Sequence, residues 1–183
     1  MIYPIVAYGD VVLKRKADAI EKGSIDLKKL ADDMFETMYE ANGVGLAAPQ
    51  IGKSIRLFIV DAEPMDEVKL KGFKKVFVNP EILEESGEPW PYQEGCLSIP
   101  GVREDVMRKP IITIKYFDEH WKEHTETFDG MAARVIQHEY DHIEGVLFTD
   151  YLTPFKKRIL KGKLTSISKG VVKADYRMKF PTK

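Results

Sequence analysis

The stretch that decides the fold is DGMAARVIQHEYDHIEG, residues 129–145. Its pattern predicts a helix over residues 130–143, because a capping residue precedes this segment and a glycine follows it. Asp129 is the candidate N-cap, and Gly145 stands where a left-handed conformation ends a helix. Since this helix carries the most distinctive polar residues of the chain, we expect the other elements to pack around it.

The helix contains the pattern H-E-x-x-H. His138 and His142 are four residues apart, so their imidazoles lie on one helix face and can bind the same metal ion. Glu139 lies beside them, where a carboxylate can take a proton from a water molecule on the metal. A divalent ion lowers the pKa of its water from ~15.7 toward ~7. The pattern therefore predicts a metal-dependent hydrolase, while two unrelated histidines on a surface helix remain the alternative. Asp141 either orients a ligand or faces solvent.

A third metal ligand must come from elsewhere, because catalytic sites usually have three protein ligands and a water molecule. In the peptidase pattern H-E-x-x-H-x-x-G-x-x-H the third ligand is a histidine, but Phe148 occupies that position here. Other peptidases use a later carboxylate, for which Asp150 and Asp175 are available. Cys96 is the remaining soft ligand, since its thiolate would complete a Cys-His-His set. The alternative for Cys96 is a small buried hydrophobic residue.

The composition excludes several classes of protein. Lys and Arg number 28 against 29 Asp and Glu, and this net charge of -1 does not by itself indicate a polyanion-binding protein; there is also no nucleic-acid-binding motif. A single cysteine excludes an intrachain disulfide framework. The longest apolar run, residues 57–60, is far shorter than the ~20 residues of a membrane helix, and no basic secretory signal begins the chain. We therefore expect one cytoplasmic domain spanning residues 1–183.

Sequence patterning around the helix predicts the other elements. It predicts helices over residues 24–41 and from Thr153 onward, and strands over residues 54–60, 76–78, 111–117, 125–128 and 172–180. Ser24 is the candidate N-cap of the first helix, and residues 84–91 are predicted to be loop. Strands and helices do not alternate as βαβ units, so we predict the α+β class. Antiparallel or mixed sheets would pack around a central metal-binding helix, with a C-terminal helix followed by a terminal strand.

His120 and His124 also stand four residues apart, but they lie in a polar stretch between two predicted strands. We expect a solvated turn there rather than a second metal site.

Three motifs in this order resemble those of the peptide deformylase family. They are GVGLAAPQ at residues 43–50, EGCLS at residues 94–98 and QHEYDH at residues 137–142. Each motif alone is weak to moderate, but the three in order are highly specific, and the resemblance covers about residues 3–155. It implies a metal-dependent hydrolase that removes the formyl group from the N-terminal formyl-methionine of newly synthesised chains and releases formate.

The resemblance implies a role for each matching residue. The metal ligands would be Cys96, His138 and His142. Glu139 would be the general base and then the general acid, while the side-chain amide of Gln50 and the backbone N–H of Leu97 would stabilise the oxyanion.

The substrate would lie against a further set of residues. By the resemblance, this set comprises Val44, Gly45, Glu94, Leu97, Met131, Arg134 and Val135. Gly45 would pair its backbone with the peptide, and the apolar members would wall a pocket for methionine. Arg134 stands where an apolar residue is expected, so its stem would pack in the pocket with its charge turned outward. Glu94 is expected to form an ion pair with Arg103.

The resemblance also implies a cofactor and partners. Cysteine and two histidines suit zinc, Fe(II), cobalt or nickel; the family implies one Fe(II) per chain as the native ion, with zinc or nickel in some preparations. The partners would be formyl-methionyl nascent peptides and the ribosome near its exit tunnel. The C-terminal strand replaces the long helix that ends one branch of the family, so the mode of ribosome contact stays open; the tail does not touch the motifs in sequence and is not expected to change the function.

Two other functions compete with deformylation. A different metal hydrolase, such as a peptidase, would use the same H-E-x-x-H, but Phe148 speaks against the extended peptidase motif and Cys96 favours deformylase. A relative without activity would act as a binding module, although the candidate base and ligands are all present.

Overall fold

The computed structural model describes residues 1–181, and its elements confirm the α+β class. The helices are α1 (Leu27–Glu40), α2 (Gly130–Ile143) and α3 (Pro154–Ser168). The strands are β1 (Ile5–Val6), β2 (Gly45–Ala47), β3 (Leu57–Asp61), β4 (Lys74–Ser86), β5 (Trp90–Cys96), β6 (Ile99–Arg108), β7 (Ile111–Phe117), β8 (Glu123–Asp129) and β9 (Met178–Lys179). Among residues 1–181, no helix is both long and apolar enough to cross a membrane.

An antiparallel sheet with the strand order β2-β3-β4-β7-β8 separates α1 from α2. Side chains alternate between the two faces of a strand, so β3 is buried on both. Leu57 and Ile59 pack with α1, whereas Phe58 and Val60 pack with α2. This double burial explains why β3 is an uninterrupted apolar run. The central position predicted for α2 is confirmed.

A third layer contains the hairpin of β5 and β6 together with α3 and β1. The hairpin of β5 and β6 packs with α3 and with β1, through a cluster that includes Val102, Val106, Leu164 and Ile167. Thr153 caps α3 as predicted, since its hydroxyl accepts a hydrogen bond from the Lys156 N–H at 3.2 Å. This layer holds β5 against α2 and thereby fixes the position of the EGCLS motif.

The prediction of a loop over residues 84–91 is confirmed only for residues 87–89 and is wrong for the residues on either side. Strand β4 continues past Asn79 and Pro80 to Ser86, and β5 begins at Trp90. The pairing of β4 with β7 shifts register on either side of Glu81 and Ile82, and these irregularities accommodate a proline that cannot donate a ladder hydrogen bond. The polar residues that suggested a loop belong to a strand with a largely exposed face.

Two smaller expectations also need correction. Asp26, rather than Ser24, is the N-cap of α1, and its carboxylate accepts a hydrogen bond from the Lys29 N–H at 3.2 Å. The predicted terminal strand is paired only at Met178–Lys179, in parallel with Ile5–Val6. Residues 172–180 do alternate between half-buried and exposed positions, but their earlier part has no neighbouring strand within the described chain.

Candidate metal centre and substrate cleft

Two elements bring the three candidate ligands together. Helix α2 presents His138 and His142 one turn apart, and β5 ends at Cys96. A register shift between Gly95 and Cys96 ends the regular pairing of the hairpin at this point. The ligand atoms of the three residues lie within 4.8 Å of one another. Sequence spacing alone does not place Cys96 beside the helix; the packing of the hairpin does.

The orientation of the imidazoles suits a metal ion. His138 Nδ1 lies 3.0 Å from Glu94 Oε1, which leaves Nε2 free for a ligand bond. His142 Nε2 lies 3.4 Å from Cys96 Sγ, and its Nδ1 is buried without a hydrogen-bond partner. Burial lowers the pKa of His142 and favours the neutral ring that a metal ligand requires. Burial would also lower the pKa of His138, but its hydrogen bonds with Cys96 and Glu94 raise it, so a metal ion must displace a proton from that ring. The residues present therefore fit a Cys-His-His site for a borderline-soft divalent ion.

Glu94 is the hub of a buried ionic network behind the ligands. Arg108 donates to both of its oxygens, at 2.7 and 3.0 Å, and Arg134 donates to Oε2 at 2.8 Å. Burial would raise the pKa of Glu94, but hydrogen bonds from His138 and Arg108 outweigh it and hold the pKa well below its usual range. Glu94 therefore stays ionised and fixes the ring of His138 in one orientation.

The arginines of this network differ from the expected arrangement. Arg134 is 2% exposed, so its charge is turned inward, where it also donates to the carbonyl oxygens of Trp90 and Val106. Arg103 does not pair with Glu94; it donates to the Gln93 carbonyl at 3.0 Å instead. Arg108 and Arg134 offset the cost of burying the Glu94 carboxylate, because both form direct hydrogen bonds with it.

Asp141 extends the same network. Its Oδ2 accepts hydrogen bonds from Arg108 and from the hydroxyl of Tyr151, both at 2.8 Å. Arg108 thus bridges Asp141 to Glu94, and through Glu94 to His138. Of the two roles left open for Asp141, the structure favours the one that orients a ligand. Arg108 had no signal in the sequence that marked it as part of the site.

Glu139 lies at the centre of the site and faces the cleft. It is 4% exposed, and its Oε2 is buried without a hydrogen-bond partner. Burial raises the pKa of Glu139 to about 7, which suits a group that accepts and then returns a proton near neutral pH. Gly45 lies directly against this carboxylate: a Cβ added at Gly45 would stand 2.7 Å from Glu139 Oε1.

Replacing Gly45 with alanine is expected to abolish most activity, because the new methyl group would displace the carboxylate of Glu139. We expect a loss of at least about 10²-fold in kcat/KM, in line with the effect of a misplaced acid–base group. Gly162→Ala is the matched control, since a Cβ there meets nothing within 4 Å. Formate release and melting temperature measure both variants. Full activity in Gly45→Ala would contradict the placement of Glu139.

Gln50 joins the site from the motif that precedes β3. It is 1% exposed, and its Nε2 lies 3.5 Å from Cys96 Sγ and 3.2 Å from Ser98 Oγ. Its Oε1 accepts a hydrogen bond from the Ala47 N–H at 3.0 Å. These contacts fix which end of the amide is the donor, and they aim it at the candidate ligand Cys96.

A cleft of about 530 Å³ opens onto these residues. Its walls include most of the expected substrate-binding set, namely Val44, Gly45, Glu94, Leu97, Arg134 and Val135. Met131 is not among the residues that line it, unlike Val135 one turn later on the same helix. The walls also include residues 173–176 of the C-terminal tail, which sequence reasoning left out because the tail lies far from the motifs in the chain.

The second histidine pair takes no part in this site. His120 and His124 lie in and beside the turn between β7 and β8, where His124 Nε2 contacts Asp118 at 2.8 Å. The metal-ligand cluster found within residues 1–181 contains neither of them.

Comparisons with known proteins agree with this geometry. The family model for polypeptide deformylase matches residues 2–158. The peptide deformylase of Cytophaga hutchinsonii is 64% identical over 183 residues and is covered in full by this chain, as this chain is by it. That of Christiangramia forsetii is 57% identical, over 99% of this chain and 97% of the relative.

Solved structures give the same result. A peptide deformylase from Legionella pneumophila superposes with a TM-score of 0.81 at 40% identity, over 92% of this chain and 96% of that one. The enzyme from Thermotoga maritima gives 0.77 at 40% identity, over 84% and 99%. The chain therefore belongs to the polypeptide deformylase family, hydrolases that remove the N-formyl group from nascent peptides.

Proposed function

We propose that the protein hydrolyses the formyl amide of N-terminal formyl-methionine with the residues gathered around Glu139. One observation supports this most: a buried carboxylate with an unpartnered oxygen faces the same cleft as the Cys96, His138 and His142 cluster. A divalent ion held by these three residues would activate a water molecule and polarise the formyl oxygen. The reaction adds water across the amide, breaks the C–N bond and releases formate and a free amine.

The chain's own residues supply the proton transfers and the donors. Glu139 takes the proton of the attacking water and delivers it to the departing nitrogen, which its pKa of about 7 allows. Gln50 Nε2 and the backbone N–H of Leu97 donate to the oxygen on which negative charge develops. Donors of this kind are each worth about 3–4 kcal/mol in the transition state.

The substrate peptide is held by an unpaired strand edge. β2 is the edge strand of the five-stranded sheet, and only its β3 side is paired in the described structure. The backbone of Gly45 on the open side can therefore add a short β-type contact to an extended peptide. Val44 and Val135 line the neighbouring wall, where the methionine side chain of the substrate would pack.

We propose Fe(II) as the native ion, with zinc or nickel replacing it after purification in air. The donor set supports this coarsely, because one thiolate and two imidazoles bind each of these ions. Iron beside a thiolate also promotes oxidation of Cys96, so the protein must be purified without oxygen if its native metal content is to be measured.

The test is formate release from a formyl-Met tripeptide by protein purified without oxygen, with the metal content of the same sample measured. Rapid release with about one iron per chain is expected. No release from a fully occupied site would overturn the proposed function. Cleavage of an internal peptide bond in the same tripeptide would instead support the peptidase. Metal-free protein prepared by chelation is the control, and it should release no formate.

We propose that α3 brings the enzyme to the ribosome near the exit tunnel. α3 contains no acidic residue, and its exposed basic side chains are Lys156, Lys157, Arg158, Lys161 and Lys163. Ribosomal RNA is a polyanion, and each phosphate neutralised by such a helix adds salt-sensitive affinity. We also propose that the enzyme acts in the cytoplasm and that residues 1–183 form one catalytic domain. The pairing of β9 with β1 supports the single domain.

Reversing two charges on α3 is expected to weaken ribosome binding without changing the chemistry. The double variant Lys157→Glu/Arg158→Glu should co-sediment with ribosomes about tenfold less at low salt, while kcat on the tripeptide stays the same. Lys69→Glu/Lys71→Glu, in an exposed segment between β3 and β4, makes the same change in net charge elsewhere. Equal losses in both double variants would argue against α3 as the contact.

A further inference from the structure

The C-terminal tail reaches back to the EGCLS motif. The hydroxyl of Tyr176 donates a hydrogen bond to the carbonyl oxygen of Leu97 at 2.6 Å, across 79 residues of sequence. Both side chains pack against the same core cluster, and both line the cleft. Burial raises the pKa of Tyr176, so its hydroxyl remains a donor throughout the neutral range.

The next carbonyl in the chain is held from the same side. Ser98 O accepts a hydrogen bond from the Tyr8 N–H at 2.8 Å, directly after β1. β1 is in turn paired with the tail, since the Ile5 N–H donates to Arg177 O and the Ala7 N–H to Lys179 O, each at 2.9 Å. The tail and the N-terminal segment therefore hold the Leu97–Ser98 and Ser98–Ile99 peptide groups.

The Ser98 hydroxyl also contacts Gln50 Nε2 at 3.2 Å, so the backbone contacts from Tyr176 and Tyr8 add to a side-chain contact on the same segment. Leu97 and Ser98 form the two-residue turn between Cys96 and Ile99, which pair with each other beyond the register shift that follows Gly95. The side chain of Leu97 packs closely against Gly43 of the GVGLAAPQ motif: a Cβ added at Gly43 would stand 2.8 Å from Leu97 Cδ1. A shift of this connection would move the Leu97 backbone relative to the cleft.

We propose that Tyr176 is a positioning residue for deformylation: its hydroxyl fixes the Leu97–Ser98 peptide group and so keeps the Leu97 N–H aimed at the developing oxyanion. This inference rests on the role given to Leu97 in the proposed function. Tyr176 acts through Leu97 and need not touch the substrate. Complete removal of an oxyanion donor costs about 10²–10³-fold in kcat, so a donor that is only loosened should cost about tenfold.

The test compares Tyr176→Phe with Tyr116→Phe. The phenylalanine at position 176 keeps the ring and its packing and removes only the hydroxyl. Tyr116 is the matched control, because its hydroxyl donates to Glu126 at 2.8 Å and both residues lie in the hairpin of β7 and β8. The measurements are kcat and KM on a formyl-Met tripeptide, metal content, melting temperature, and hydrogen exchange of the Leu97 and Ser98 amides.

We expect kcat to fall about tenfold in Tyr176→Phe with KM within about twofold, unchanged metal content, and faster exchange at Leu97 and Ser98. Three results would overturn the inference: an unchanged kcat, unchanged amide exchange, or a fall in kcat that follows loss of metal or is equalled by Tyr116→Phe. Absence of formate release from the metal-loaded, unsubstituted protein would remove the proposed function itself, and with it the basis of this inference.

Discussion

Replacing Glu139 with glutamine is expected to lower kcat for formate release by about 10²–10⁴-fold, the usual contribution of a general acid–base group. Glutamine has nearly the same shape as glutamate, so it preserves the packing against Gly45. It cannot accept the proton of the attacking water or carry it to the departing amine. KM and metal content should remain close to those of the unsubstituted protein, because Glu139 is not one of the candidate ligands.

Glu144→Gln is the matched control for this experiment. Glu144 follows α2 directly and accepts a hydrogen bond from Arg56 at 2.8 Å, outside the cleft. It should retain nearly full kcat. If Glu139→Gln kept more than about a tenth of the activity, its role as the proton carrier would have to be abandoned.

Among the substitutions proposed for this protein, Glu94→Gln is expected to cause the largest fall in the free energy of unfolding. Arg108 and Arg134 are 7% and 2% exposed; the substitution removes the carboxylate that pairs with Arg134 and leaves Arg108 with Asp141 as its remaining carboxylate partner. Breaking a buried ionic network by removing one partner costs about 3–5 kcal/mol in the free energy of unfolding. Urea unfolding of the chelated, metal-free proteins measures this loss without a contribution from metal binding.

The same substitution should also weaken metal binding. Glu94 accepts a hydrogen bond from His138 Nδ1 at 3.0 Å, and removing such a partner typically reduces metal affinity about 10–100-fold. Glu123→Gln is the control, because Glu123 pairs with Lys115 at the exposed surface and should contribute less than about 1 kcal/mol. Equal stability of the Glu94 and Glu123 variants would show that the buried network is not the main support of the site.

The sequence determined the features that depend on residues close together in the chain. Asp129 and Gly145 predicted the bounds of α2, and Asp129 is its N-cap, although its side chain makes no capping hydrogen bond. The spacing of His138 and His142 places them on one face. The same local rules identified α3 and its cap. The three motifs and their order were enough to name the family, the class of fold and the chemistry.

Local rules failed where long-range pairing decides the conformation. The polar end of β4 forms a strand because β7 supplies a partner, although its composition is typical of loops. The tail alternates as a strand should, yet only the part beside β1 is paired. A periodic pattern shows which side of a segment is buried, but it contains no information on whether another strand lies within hydrogen-bonding distance.

Only the tertiary structure decided how the site is assembled. It placed Cys96 beside His142 across 46 residues of sequence, chose Arg108 and Arg134 rather than Arg103 as the partners of Glu94, and brought Tyr176 to Leu97. Each of these contacts depends on how sheets, hairpin and chain ends pack against α2. The sequence by itself therefore determined which residues have the chemistry of a metal hydrolase, because backbone periodicity is local. The packed fold determined which distant charges and donors support them, because burial makes an unpaired charge or donor too costly to leave without a partner.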